Sequence, residues 1–423
     1  VPAIPPPTPA ERPDPGRRRL LRAAAGPLCC GVAAGLGLLA APDAWPSPVP
    51  SDAWPDDVRR LWTAAWDGLD PARVVDVHAH LIGHTAEAPG DQGAFVHPRT
   101  RSPWAFGDWL RRQAIERASD VHRHRSRLSE RYVERMATLW SAFPSGAVPC
   151  LLAFDAAVKP DGTVDVDRTM FATGDGYARR VATAQRWGWA ASIHPDRRDA
   201  IARLHAARAG GARLVKWLPS AMAIDPAAPR HRAYYRALVD LDLTLLSHAG
   251  EEVAVTGAAA YDWINPLLLR APLEAGARVI VAHCASLGTA SDLDAPGRPA
   301  VPAFDLFRRL MDDRGFGDRV LGDLSAVTQI NRRPAVLRTL LERTDWHDRL
   351  LWGSDYPLPA IGWLTDTGRL AREGLVDADE AAVLERLQAL NPVAFDFALK
   401  RRLRVGSTPF GTRVFESRDR VAP

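Results

Sequence analysis

Short apolar runs recur along the chain at 73–78, 147–154, 188–193, 212–217, 243–247, 278–282, 319–324 and 349–352. Arg278-Val-Ile-Val-Ala282 is apolar through its interior, the pattern of a parallel strand buried on both faces. Helical spacing fills the gaps at 171–186, 197–209, 231–241, 263–275, 304–313 and 334–343. A closing helix is predicted over 378–399, interrupted at Asn391-Pro392. Alternating strands and helices predict a parallel sheet, and eight such units predict a closed (β/α)8 barrel.

Other segments decorate that series. A short helix is expected over 55–69, with Leu61, Trp62 and Trp66 on one stripe. After the first strand comes a long excursion, 81–103, rich in Gly, Pro and His. Residues 108–143 read as one long helix or a broken pair. Eight arginines from Arg111 to Arg135 are interleaved there with Glu116, Asp120, Glu130 and Glu134, which predicts a solvated, salt-bridged face. The expected organisation is α/β: 1–41 an export signal or N-terminal anchor, 42–72 a linker and helix, 73–400 the barrel with its insertion after the first strand, and 401–423 a tail.

Composition narrows the function. The 423 residues are 47% hydrophobic, enough for one large core. Net charge is +4, and residues 1–41 hold five arginines against Glu11 and Asp14, which leaves +1 for the rest. Such a balance creates no field for a polyanion, so nucleic acid is not an expected partner. Of four cysteines, Cys150 and Cys284 each adjoin a predicted strand and are expected to be buried free thiols. Gly16-Arg17-Arg18-Arg19-Leu20-Leu21-Arg22 precedes a small-residue apolar run to Ala41, a layout that resembles a twin-arginine signal and predicts a periplasmic protein. A cytoplasmic protein with a basic tail is the alternative, and Val1 in place of Met suggests an alternative or misplaced start. No later segment is long and apolar enough to span a bilayer.

The candidate chemistry sits at the strand ends. In Asp76-Val-His78-Ala-His80 the two imidazoles lie one pleat apart on the same face, where both can grip one metal ion. Lys216, His248, His283 and Asp355 close the fourth, fifth, sixth and eighth apolar runs. In a (β/α)8 barrel the reacting groups stand at the carboxyl ends of strands. Each residue alone has a plain reading: a core histidine, or a helix-capping aspartate. Lys216 is the hardest to dismiss, since a lysine in a barrel strand is costly unless paired or neutralised. Together they predict a metal site. Nitrogen and oxygen ligands without thiolate favour zinc, with manganese, iron or nickel also acceptable. His194, Asp323 and Glu251 also follow strands and are weaker candidates for touching a small-molecule substrate or orienting a ligand.

These residues resemble the amidohydrolase superfamily over about 73–395. Lys216-Trp-Leu-Pro219 and Leu246-Ser-His248-Ala-Gly-Glu251 look like dihydroorotase segments. The spacing and the Gly353-Ser-Asp355-Tyr-Pro357 ending are more similar to the amidohydrolase-2 branch of TIM-barrel enzymes. The resemblance implies a metal-dependent hydrolase in which a metal-activated hydroxide attacks an amide, lactone or ester bond. It implies His78, His80 and Asp355 on one ion, His248 and His283 on a second, a carboxylated Lys216 bridging them, and Asp355 as general base then acid. A single-ion version leaves His283 as the acid–base group and Lys216 as an ordinary ammonium. The alternatives are a mononuclear non-oxidative decarboxylase and a catalytically inactive exported binding protein.

Overall fold

Leucine and β-branched side chains buried on both faces make the apolar runs fold as parallel strands. The computed structural model describes residues 49–255 and 261–421. Its barrel strands are β1 (Val75–His80), β2 (Val148–Leu152), β3 (Gly188–Ala190), β4 (Leu214–Trp217), β5 (Thr244–His248), β6 (Val279–Ala282), β7 (Val320–Asp323) and β8 (Leu350–Leu351). Parallel ladders join β1 through β3 and β4 through β8 in chain order. Backbone contacts complete the ring. Ala191 bridges to Val215 after β3, and the Val77 N–H donates to the Trp352 carbonyl at 3.2 Å. The expected closed (β/α)8 barrel is therefore what forms.

Alternate strand positions fill the interior with apolar side chains, among them Val75, Cys150, Leu214, Leu246, Ile280 and Leu351. Val421, from the last helical turn, joins that cluster, and Ser417 Oγ donates to the carbonyl of Val75, the first residue of β1, at 3.1 Å. The chain end thus plugs the amino end of the barrel. Outside, helix α1 (Asp56–Ala65) buries Leu61 and Trp62, whose indole meets Phe143 and Phe397 edge-on at 5.0 and 5.7 Å. Asn391 ends the helix Ala378–Leu390, and its side chain caps Pro392–Arg402 by accepting from the Val393 and Ala394 N–H groups.

Three local expectations are corrected. The excursion after β1 is partly ordered: Ala94–Val96 pairs antiparallel with Phe171–Thr173, so the helix expected from Phe171 starts at Asp175 instead. Gly174 makes that join possible, because a Cβ there would collide with the Gly90 and Asp91 carbonyls. The helix expected over 263–275 is only Arg270–Glu274 preceded by 3-10 turns, since Pro266 and Pro272 remove donors an α-helix needs. The charged segment is a broken pair, α2 (Phe106–Ala118) and α3 (Leu128–Trp140), and its face is not wholly solvated. Arg112, Glu116 and Arg135 are buried, whereas Arg127, Arg131 and Glu134 form the expected exposed ion pairs.

Cys150 and Cys284 are buried free thiols. Among the described residues no helix is long and apolar enough to cross a membrane. The expected export signal, 1–41, lies outside the described residues.

Candidate metal centre

The site begins with an irregularity in β1. Asp76 pairs with Pro149 and Ala79 with Leu151, so β1 carries one residue more than β2 over this stretch. Such a bulge re-aims side chains. Val75 and Val77 belong to the interior cluster, and beyond the bulge His78 and His80 line the cavity at the barrel's carboxyl end. Asp76 pins the distortion: its Oδ1 accepts from the His78 N–H at 3.0 Å and from the Ser354 N–H at 2.8 Å.

The end of β8 is built to approach β1. A Cβ on Gly353 would lie 2.7 Å from the His78 Cβ, so only glycine fits there. Asp355 follows in a left-handed conformation, φ 61°, with its N–H donating to the His78 carbonyl at 2.8 Å. After β6, His283, Cys284 and Ala285 also have positive φ, 55°, 51° and 47°. Non-glycine residues in this region cost on the order of 1–3 kcal/mol each and tend to mark functional sites.

The side chains then converge. His80 Nε2 lies 3.0 Å and His78 Nε2 3.7 Å from Asp355 Oδ1. His78 Nδ1 donates to Asp323 Oδ2 at 3.0 Å, which leaves Nε2 as the free lone pair. Lys216 Nζ sits against that nitrogen at 3.1 Å. Ser325 Oγ is 2.7 Å from His283 Nδ1, and Asp323 Oδ1 accepts from the His283 N–H at 3.1 Å. His248 Nδ1 lies 3.3 Å from Glu252 Oε2, and its buried Nε2 has no hydrogen-bond partner among the described residues. Among the described residues, donor atoms within 4.8 Å of one another form two groups, His78–His80–Asp355 and His78–His283–Asp323.

Protonation states suit a cation. Burial, then the neighbouring Lys216, pushes His78 down to about 4. Burial likewise lowers His248, and carries His283 well below its ordinary value. Burial also lowers Lys216, against the pull of Asp323 and Asp355. Burial alone would raise Asp355, but His283, His80 and His78 hold its carboxyl well below the usual range. Asp323 is held low in the same way by His78 and His283. Neutral imidazoles beside ionised carboxylates are what metal ligation requires. The orphaned His248 Nε2 fits as well, since leaving a buried polar atom unpaired costs about 1–3 kcal/mol.

His78, His80, Lys216, His248, His283, Asp355 and Glu251 all line one cavity. His194 does not. It is fully buried elsewhere, with Nε2 bonded to the Met222 carbonyl at 2.9 Å and Nδ1 accepting from the Asp196 N–H at 3.1 Å, so no ring nitrogen is left for a substrate. Asp323 is at the centre but beneath the histidines it binds, at 0% exposure, with Oδ2 accepting from the His78 ring and Oδ1 from the His283 N–H. Sequence reasoning missed Ser325, Gln329, Arg332 and the Arg112–Glu116 pair, all beside or lining the site. The i,i+4 spacing of Arg112 and Glu116 was visible, but it does not reveal which face of α2 is covered.

A family model described as amidohydrolase matches residues 75–395. No curated protein matches the chain. Solved structures resembling it include a TIM-barrel protein from Bordetella bronchiseptica, 14% identical, covering 75% of this chain and 99% of its own, with a TM-score of 0.42. Another is a protein described as a 2-pyrone-4,6-dicarboxylic acid hydrolase from Pseudomonas putida, 15% identical, covering 77% and 97%, at 0.37. A third is a 4-oxalomesaconate hydratase from Rhodopseudomonas palustris, 13% identical, covering 67% and 81%, at 0.36. With a match running from the first residue of β1 into the last long helix, this chain belongs to the amidohydrolase family.

Proposed function

We propose that the protein is a metal-dependent hydrolase that cleaves an amide, lactone or ester bond in a small molecule, with one divalent cation, zinc first among the candidates, held by His78, His80 and Asp355. The observation that carries this reading is the convergence of those three donors at a strand-end cavity, with the imidazoles of His78 and His283 neutral and the Asp355 carboxylate ionised. His248, whose Nε2 has no other partner among the described residues, is the candidate fourth donor. When bound, the cation supplies Lewis acidity, polarising a carbonyl and acidifying water.

The chain's own groups supply the rest. Asp323 keeps His78 in the tautomer with its lone pair on Nε2. Asp355 would take the proton of the attacking water and return it to the leaving group. Ser325 fixes the His283 ring, leaving the other nitrogen for acid–base work at the substrate. The His78–His80–Asp355 group supports a single ion, with Lys216 Nζ 3.1 Å from His78 Nε2 beside it.

With Lys216 read as an ammonium lining the cavity, a second reading is a single-ion non-oxidative decarboxylase. Elemental analysis of the purified protein, with a panel of esters, lactones, amides and aryl carboxylates assayed for acid and for carbon dioxide, separates the two. One metal per chain with hydrolytic turnover is expected. Carbon dioxide release alone selects the decarboxylase, and no metal-dependent turnover at all selects a binding protein. For location, residues 16–41 support twin-arginine export. Fractionation of cells expressing the full chain should place it in the periplasm, and Arg17→Lys with Arg18→Lys should retain it in the cytoplasm.

A further inference from the structure

Three cationic side chains besides the histidines line the cavity: Arg112, Lys216 and Arg332. Arg112 is matched by Glu116 at 2.6 Å, and Lys216 is bonded to His78. Arg332, in the loop after β7, is 7% exposed and has no carboxylate bonded to it among the described residues. Among the described residues its buried Nη1 has no hydrogen-bond partner, and its Nε reaches only the Ala326 carbonyl at 3.5 Å. Glu252, one of the acids facing it, is already engaged by His248 and by the Ala254 and Val255 N–H groups. A guanidinium kept dry without a forked partner is costly, so a site that retains one is prepared for an anion.

The loop holds Arg332 ready. The Ile330 N–H donates to the Leu364 carbonyl at 2.8 Å, Arg369 Nη1 donates to the Ile330 carbonyl at 2.9 Å, and the Arg332 N–H donates to the Gln329 carbonyl at 3.0 Å. The same cavity also has an apolar part to its lining, Phe95, Phe154, Phe171, Val253 and Leu358 among it. The acids nearby, Glu251, Glu252 and Asp355, disfavour a dianion such as a phosphate monoester.

We propose that Arg332 anchors a carboxylate of the substrate, so that the enzyme acts on acids combining one ionised carboxylate with an apolar body. This rests on the cavity being the substrate site of the hydrolase proposed above, and it names the substrate class.

The test uses 3-phenylpropionate and its uncharged amide. Binding of each is measured by calorimetry to metal-loaded wild type, Arg332→Met and Arg332→Gln, with metal content and melting temperature read on the same samples. Wild type should bind the acid about tenfold or more tighter than the amide. That preference should fall below about twofold in both variants, with metal content unchanged. Two variants are used so that a folding failure of one leaves the other. A preference that persists in the variants, or is absent from wild type, overturns the proposal. Protein lacking metal would instead sink the single-ion reading, while the acid–amide comparison is still scored.

Discussion

At the amino end of the barrel, Val75, Cys150, Leu214 and Val421 close an apolar plug. Further along the same strands, His78, Lys216 and His248 stand where that interior opens into the cavity, with Asp355 just beyond β8. One end is packed with buried apolar side chains. The other holds neutral imidazoles, a desolvated amine, left-handed residues and a guanidinium with no carboxylate bonded to it among the described residues. A structure that tolerates such a cluster at one end has offset it at the other. The two ends should therefore respond oppositely to mutation.

The largest contrast is expected from Asp355→Asn. Turnover should fall about a thousandfold or more, while the melting temperature of metal-free protein falls only slightly, because an asparagine keeps an oxygen for His80 and tolerates the left-handed backbone at this position. A melting temperature that falls sharply would erase the division between the two ends. The converse change is Leu214→Ala in the plug, fully buried in the wild type. It should cost about 2–5 kcal/mol in denaturant unfolding and leave kcat/KM near wild type well below the melting point.

His194 sharpens the comparison through pH. Burial pushes it from 6.5 to about 4. Between those values the unfolded chain takes up a proton that the folded chain refuses, so its contribution is complete above about pH 6.5 and lost as pH falls towards 4. His194→Asn should flatten that acid loss by about 3 kcal/mol or less in urea titrations, with activity at neutral pH retained. If activity collapses instead, His194 belongs to the site after all. The smallest effect is assigned to Asp323→Asn. It should weaken metal affinity by about 10–100-fold without removing a ligand, as read by competition with a chelator.

How much of this could be read from the sequence depends on what kind of regularity each feature carries. The barrel strands were legible because burial on both faces leaves continuous apolar runs. His78, His80, Lys216, His248, His283 and Asp355 were legible because each interrupts or ends such a run with a group that a core does not accept without a partner. The bulge in β1 left no mark, since His78 and His80 keep their spacing whichever way the strand beneath them is registered. His194 and His248 look alike in sequence: both follow an apolar strand, and only the carbonyl of Met222 and the N–H of Asp196 distinguish a satisfied ring from an open one. Arg112 and Arg332 were hidden because charge alone does not tell which arginines a neighbouring element covers.

Diffraction from crystals grown with zinc, recorded at the zinc absorption edge, tests the metal centre most directly. One anomalous peak bounded by His78, His80 and Asp355 is the predicted result. An active protein whose anomalous peak lies elsewhere, or that shows none, would contradict it.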